Sequence, residues 1–287
     1  MKSAVSPQAT INPHAAHPTS LQSLCISIWQ HRELIFQISQ REVLGRYKGS
    51  IMGLAWSFFN PLLMLLVYTF VFSEIFKARW VNSSPEDGKV QFALILFVGM
   101  IVLGFFCDLL NRAPSLILSN ANYVKKVVFP LEVLPVIAAC SALFHALISL
   151  SALLVAFLLF NGYLNWTLIY LPIVVIPLVL ISLGFAWIVA SLGVFIRDIG
   201  QAIGILTSLL MFLTPVFYPI TGVPEAFRPF LLANPLTFII EEAREFIIWG
   251  HQPHWTGLFI YIISSILVAW AGYFWFQKTR KGFADVL

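Results

Sequence analysis

The sequence predicts an all-α polytopic membrane protein with six transmembrane helices, an N-terminal interface helix, and re-entrant helices between the fifth and sixth spans. Three observations carry this. Of the 287 residues, 59% are hydrophobic and only 10% charged, against about 25% charged in a soluble domain. The charges are clumped, leaving uncharged runs of 25, 18, 64, 26 and 32 residues, and a spanning helix needs about 20 apolar residues. The runs also lack the ~10-residue polar/apolar alternation of an outer-membrane barrel. A nucleic-acid binder and a secreted disulfide scaffold are excluded on the same grounds. Cys25, Cys107 and Cys140 sit in or beside apolar segments without metal or redox spacing and read as small buried hydrophobes.

Residues 1–20 contain Pro7, Pro13 and Pro18, a single charge and no apolar block. They predict a disordered cytoplasmic tail and not a signal peptide, ahead of one transmembrane domain over residues 21–287. Residues 21–48 mix Leu24, Ile28, Ile35 and Val43 with Arg32, Arg41, Arg46 and Lys48, which suits a helix lying in the interface. The first span is expected at 52–73, kinked at Pro61, and the second at 91–109. The 64-residue run is too long for one helix and breaks at Asn161-Gly162-Tyr163-Leu164-Asn165, where turn residues cluster. It gives spans three (133–160) and four (168–196). Arg197-Asp198 marks a short turn before span five (199–218), and span six covers 255–276.

An even number of crossings puts both termini on one side. Twelve of the 17 Lys and Arg fall on that side and five on the other, so both termini are expected in the cytoplasm.

The stretch 111–131 then becomes a cytoplasmic loop with a proline turn, an amphipathic piece and a dibasic pair closed by Pro130. Positive-inside anchoring accounts for Lys125 and Lys126 alone. Leu116, Ile117, Leu118 and Tyr123 predict a docking surface, because apolar residues exposed in such a loop need a partner, and Lys125 and Lys126 are counted with that surface. On the outer side, Pro215, Pro219, Pro224, Pro229 and Pro235 forbid a continuous helix, yet Phe227, Phe230 and their neighbours are too apolar for an aqueous loop. Short broken helices dipping into the outer leaflet reconcile the two. Phe217, Tyr218, Phe227 and Phe230 are expected to pack together there. Glu241, Glu242 and Arg244 are expected at the rim of a pore, with a solvated helix face as the plainer reading.

No phosphate-binding loop is present: Gly88-Lys89 has Ser83 and Val90 where that motif needs Gly and Ser or Thr. His145 is the one ionisable side chain well inside a span, and it reads as a hydrogen-bonded packing residue. That count disfavours an ion-coupled flippase or secondary transporter. Without paired carboxylates or a metal cluster, nothing points to a membrane enzyme. Any energy source must lie outside this chain.

Arg41-Glu42-Val43-Leu44-Gly45-Arg46-Tyr47-Lys48-Gly49-Ser50, followed by Gly53-Leu54-Ala55-Trp56-Ser57-Phe58-Phe59-Asn60-Pro61, resembles the opening of the polysaccharide-export permeases of ABC type-2 transporters. Thr207, Leu210, Leu213, Thr214, Val216, Pro224, Pro235, Leu236 and Arg244 fall at the spacing of that family's membrane signature, from which Val223 and Phe238 depart. The ending Lys281-Gly282-Phe283-Ala284-Asp285-Val286-Leu287 also resembles the family's tail. The resemblance implies a non-enzymatic, homodimeric permease in the bacterial inner membrane. Two separate cytoplasmic ATP-binding subunits would carry the ATP and magnesium. It implies a lipid-linked polysaccharide as cargo, with O-antigen first and capsular polysaccharide or teichoic acid as the alternative. By the same resemblance 21–48, including Arg41, Arg46, Tyr47 and Lys48, is the interface helix. The 111–131 loop holds the coupling helix, and the proline-broken segment is the periplasmic gate. Gly45-x-x-x-Gly49-x-x-x-Gly53 suits either close helix approach or a flexible elbow.

Overall fold

A computed structural model describes residues 19–75, 88–126 and 129–287. The tail expected over residues 1–20 lies outside the described residues but for 19 and 20, as do the side chains of Lys125 and Lys126. Every regular element among the described residues is helical. Two helices open the chain where one was expected, α1 (Leu21–Gln30) and α2 (Arg32–Arg46). They part at His31 (φ −101°, ψ 14°), whose Nδ1 lies 2.8 Å from the Ser27 carbonyl. Leu24, Ile35, Ser39 and Val43 are buried, while Ile26, Trp29 and Phe36 stand exposed. That division of faces suits an interfacial helix pair. Beyond α2, Gly49 (φ 86°) and Gly53 (φ 53°) adopt left-handed backbone, and a side chain at Gly45, Gly49 or Gly53 would meet nothing within 4 Å. Within the chain this glycine run is an elbow and not a helix contact.

After the elbow come α3 (Ala55–Tyr68), with Pro61 inside it and a π-helical continuation over Thr69–Ile75, then α4 (Gly88–Arg112), α5 (Ala121–Lys126) and α6 (Val133–Asn161). The second half holds α7 (Leu171–Phe195), α8 (Ile199–Leu213), α9 (Arg228–Ala233), α10 (Pro235–Arg244), α11 (Trp255–Thr279) and α12 (Phe283–Val286). Helices α4, α6, α7 and α11 are long and apolar enough to cross a membrane; α3 and α8 are apolar but shorter. The break in the 64-residue run falls where turn chemistry puts it. Gly162 (φ 75°) ends α6, its N–H donating to the Leu158 carbonyl at 2.8 Å.

Span five was expected to reach residue 218, but α8 ends at Leu213. Pro215 is the cause, since its ring pushes the preceding residue out of helical backbone and Thr214 sits at φ −108°, ψ 138°. Past it, the expected broken helices are present as two 3₁₀ turns (Ile220–Gly222, Glu225–Phe227), α9 and α10. Pro235 opens α10, where a missing N–H costs nothing, and the Asn234 side chain caps it by accepting from Leu236 N–H at 3.0 Å.

Helix α4 is the enclosed element, packed against α6, α7, α8 and α10. Helices α7 and α11 run alongside each other over their lengths. The bundle has two distinct ends. At one, α1 meets the start of α6 (Ser27 Oγ to Glu132 Oε1, 2.9 Å), and the chain after α11 meets the segment after α5 (Arg280 Nη2 to Phe129 O, 3.0 Å). At the other, the α6–α7 connection is tied to the segment after α10. Thr167 Oγ1 donates to Phe246 O at 2.7 Å, and Asn165 Nδ2 to Ile247 O at 3.0 Å.

Candidate functional site

At the first end, the chain leaves α4 through a 3₁₀ turn, Ala113–Ser115, in which Ala113 and Pro114 are buried against α7. A Cβ at Gly193 of α7 would collide with the Pro114 backbone, so glycine there lets the loop seat directly on the helix. The expected docking residues then divide. Ile117 is completely buried in the chain's own core and is not available to a partner, which corrects its assignment. The reason is that the loop folds back on the bundle and satisfies that side chain internally. Leu116 is half-buried, and Leu118 is 40% exposed. Tyr123, half-buried, stacks on Phe129 with ring centroids 4.5 Å apart and 12° between planes. A cleft of about 290 Å³ separates α2 from this loop, with Arg41, Glu42, Arg112, Leu116 and Tyr123 in its walls.

Of the expected interface-helix residues, Arg41 and Lys48 are exposed while Arg46 and Tyr47 reach the bundle. Arg46 pairs with Asp108 of α4 at 3.3 Å, and Arg112 pairs with Glu42 and, at 3.5 Å, with Asp108. The Tyr47 hydroxyl lies 3.3 Å from His145 Nδ1, the rings meeting edge to face at 5.7 Å. His145 thus packs and hydrogen-bonds, the role its apolar surroundings suggested. These side chains fix the end of α2 to α4 and α6.

At the opposite end an open groove of about 940 Å³ runs between α8 and α9, lined by Leu210, Leu213, Tyr218, Phe227, Phe230 and Asn234 among others. The structure brings Tyr218, Phe227 and Phe230 to it. Phe217 is not in its wall and packs on the core instead. Nor are Phe227 and Phe230 enclosed, as the expected packed cluster would require. Phe227, ending the 3₁₀ turn before α9, is 61% exposed, and Phe230 on α9 is 76% exposed, both lining the groove opposite α8. The Tyr218 hydroxyl is held locally, donating to Phe212 O at 2.8 Å.

The larger correction is Arg244. It is not on a rim: its side chain is completely buried. Its Nε donates to Ile95 O of α4 at 3.2 Å, Nη1 to Pro215 O at 2.8 Å and Glu241 Oε1 at 2.6 Å, and Nη2 to Val216 O at 2.9 Å. Pro215 and Val216 are where α8 has unwound, so the guanidinium takes up carbonyls that have lost helical partners. Gly99 of α4 leaves room for it; a Cβ there would stand 3.1 Å from Nη2. Glu242 is also buried, accepting from the His254 backbone N–H at 3.3 Å and facing His254 Nδ1 at 2.7 Å. Burial raises the Glu241 carboxyl above the usual range, with the Arg244 guanidinium pulling the other way. An Arg three residues after a Glu, on a helix flanked by apolar residues, was the available signal for a clamp.

The family model described as ABC-2 type transporter matches residues 33–248. The O-antigen export system permease protein RfbA of Myxococcus xanthus is 28% identical over 260 residues, 90% of this chain and 96% of that one. RfbA of Klebsiella pneumoniae is 28% identical over 89% of this chain and 95% of its own length. The polysialic acid transport protein KpsM of Escherichia coli is 22% identical, covering 74% and 80%.

Proposed function

The chain belongs to the ABC-2 type transporter family and is a membrane permease subunit of polysaccharide export; we propose that its cargo is lipid-linked O-antigen moving across the bacterial inner membrane. Two copies would form the pore, and two cytoplasmic ATP-binding subunits would drive it. The observation that carries the cargo is the similarity to O-antigen export permeases over nine-tenths of the chain. A strain lacking this chain should accumulate lipid-linked polymer inside and lose it from the surface, read by surface immunolabelling and by mass spectrometry of the lipid fraction. Unchanged surface O-antigen with a missing capsule would move the cargo to capsular polysaccharide, the reading supported by similarity to the capsule polysaccharide export inner-membrane protein CtrC of Neisseria meningitidis.

Six crossings follow if the two shorter helices also span. Helix α3 runs on into a π-helical stretch. Helix α8 stops short, leaving α9 and α10 to re-enter the outer leaflet beyond it, α10 among the other helices and α9 at the open groove. The outward face of α8, with Gly200, Gly204, Ile205 and Phe212 along an open hollow, supports a second copy as its neighbour. The twelve-to-five cation bias supports cytoplasmic termini. In a cysteine-free chain, Tyr163→Cys should then react with an impermeant thiol reagent from outside and Ser119→Cys should not. Outside labelling of the second would invert the orientation.

With that orientation, Leu116 and Leu118 offer apolar contact to the ATP-binding subunits. Leu118→Asp should leave the chain inserted but remove co-purification of those subunits, since a carboxylate pressed into an apolar groove costs several kcal/mol. Ile117→Asp should instead reduce the amount of folded chain, because that side chain is core. Normal co-purification and export by Leu118→Asp would remove the loop from the docking role.

A further inference from the structure

We propose that Glu132 and Arg280 form a joint that transmits the movement of α5 to the interface helices and the last span. They would be positioning residues for ATP-driven export. This rests on the functional reading above and goes beyond it. Glu132 precedes α6 and is 7% exposed. A buried carboxylate is costly unless paired and hydrogen-bonded, and the residue that carries this one joins four elements through its side chain and its backbone carbonyl. Its side chain accepts from Ser27 Oγ of α1 at 2.9 Å and from Arg280 Nη1, just past α11, at 2.7 Å. Its backbone carbonyl accepts from Trp187 Nε1 of α7 at 3.0 Å. Arg280 completes the connection, because its Nη2 donates to Phe129 O at 3.0 Å, and Phe129 is the ring on which Tyr123 of α5 stacks.

Residues 129–132 are not helical. A push on α5 would therefore be absorbed there as backbone rotation unless side chains bridge the gap. The two arms of one guanidinium do bridge it, one on Phe129 and one on Glu132. From there the contacts are stiff. Trp187 meets Tyr273 of α11 edge to face at 5.7 Å, and Gln277 Nε2 donates to the Tyr273 hydroxyl at 2.9 Å. Completely buried Phe283 of the tail packs on Phe276 at 5.5 Å and Phe195 at 5.8 Å. Displacement of α5 would thus carry α1, α7 and α11 together.

The test uses the whole complex in proteoliposomes, with ATP hydrolysis and polymer export measured on the same sample. Hydrolysis and export by the unsubstituted complex establish the functional reading independently. Against that background, Arg280→Met and Glu132→Gln should keep the ATP-binding subunits bound and hydrolysing, while export per ATP falls about tenfold. Arg280→Lys keeps the charge, but one ammonium lacks the fork needed to hold both acceptors, and it should fall in between. A purely structural pair would lower the amount of complex and leave the ratio alone. An unchanged ratio in both Arg280→Met and Glu132→Gln would overturn the joint, as would equal ratios for Arg280→Lys and Arg280→Met. Glu132→Gln preserves the shape but removes the charge and one of the two acceptor oxygens, so it weakens the joint with little change in packing and keeps the ratio measurable if Arg280→Met assembles poorly.

Discussion

Arg244→Met is expected to destabilise the chain by about 3–5 kcal/mol, the size seen when one partner of a buried ionic cluster is removed. The guanidinium serves three backbone carbonyls on two segments, Ile95 on α4 and Pro215 and Val216 beyond α8, besides the Glu241 carboxylate. A methionine fills much of the volume and donates nothing. The Pro215 and Val216 carbonyls lie past the end of α8 and have Arg244 as their donor in this site. The loss should show as a fall on the order of 10 °C in the midpoint of thermal unfolding of the purified chain. Lowered expression and a segment beyond α8 newly open to protease should accompany it. Arg244→Lys should recover less than half, because an ammonium cannot span acceptors on both sides of the site. Glu241→Gln should cost far less, since its side chain is 32% exposed and the amide oxygen still accepts. A midpoint for Arg244→Met within a degree or two of wild type would mean that the clamp is incidental to the fold.

How far such a site was readable in advance depends on the range of the interaction. Patterns that repeat along the chain were legible: the apolar runs gave α4, α6, α7 and α11, and the cluster around Gly162 placed the break between two of them. Proline chemistry gave the broken segment after α8, though not that α8 would already stop at Leu213, because the residue before a proline gives way as well as the proline. Pairings across the chain were not legible. Glu132 and Arg280 are 148 residues apart, and nothing local to either distinguishes a joint from an anchoring charge. Composition likewise could not separate Ile117, which the loop buries on its own bundle, from Leu118, which it leaves 40% exposed. Both are apolar residues of one short loop, and only its path over α7 assigns them. The aromatic residues failed in the opposite sense. Phe227 and Phe230 suggested a packed cluster, but a 3₁₀ turn and the short helix after it leave them 61% and 76% exposed.

Gly272→Leu is expected to separate α7 from α11 and to remove the folded chain from the membrane fraction. The helices touch backbone to backbone at this point. A Cβ at Gly272 would lie 2.7 Å from the Gly184 Cα and carbonyl carbon, with the Gly184 carbonyl oxygen closer still. A Cβ at Gly184 would lie 2.5 Å from the Val268 carbonyl oxygen. Lipid gives apolar helices no hydrophobic reason to associate, so close packing over small residues carries much of the attraction. Even Gly272→Ala must shift rigid backbone and should cost about 1–3 kcal/mol, as overpacking does. Leucine has no rotamer that avoids the facing helix. The consequence reaches function because the same helix carries Tyr273 onto Trp187 and leads into Arg280 at Glu132. Moving α11 outward would therefore break the joint as well as the packing. Graded substitution separates the two effects. Gly272→Ala should lower both the unfolding midpoint and export per ATP, whereas Gly104→Ala, whose Cβ would meet nothing within 4 Å, should lower neither. Wild-type midpoints for Gly272→Ala and Gly272→Leu alike would show that α7 and α11 are not held at this spacing.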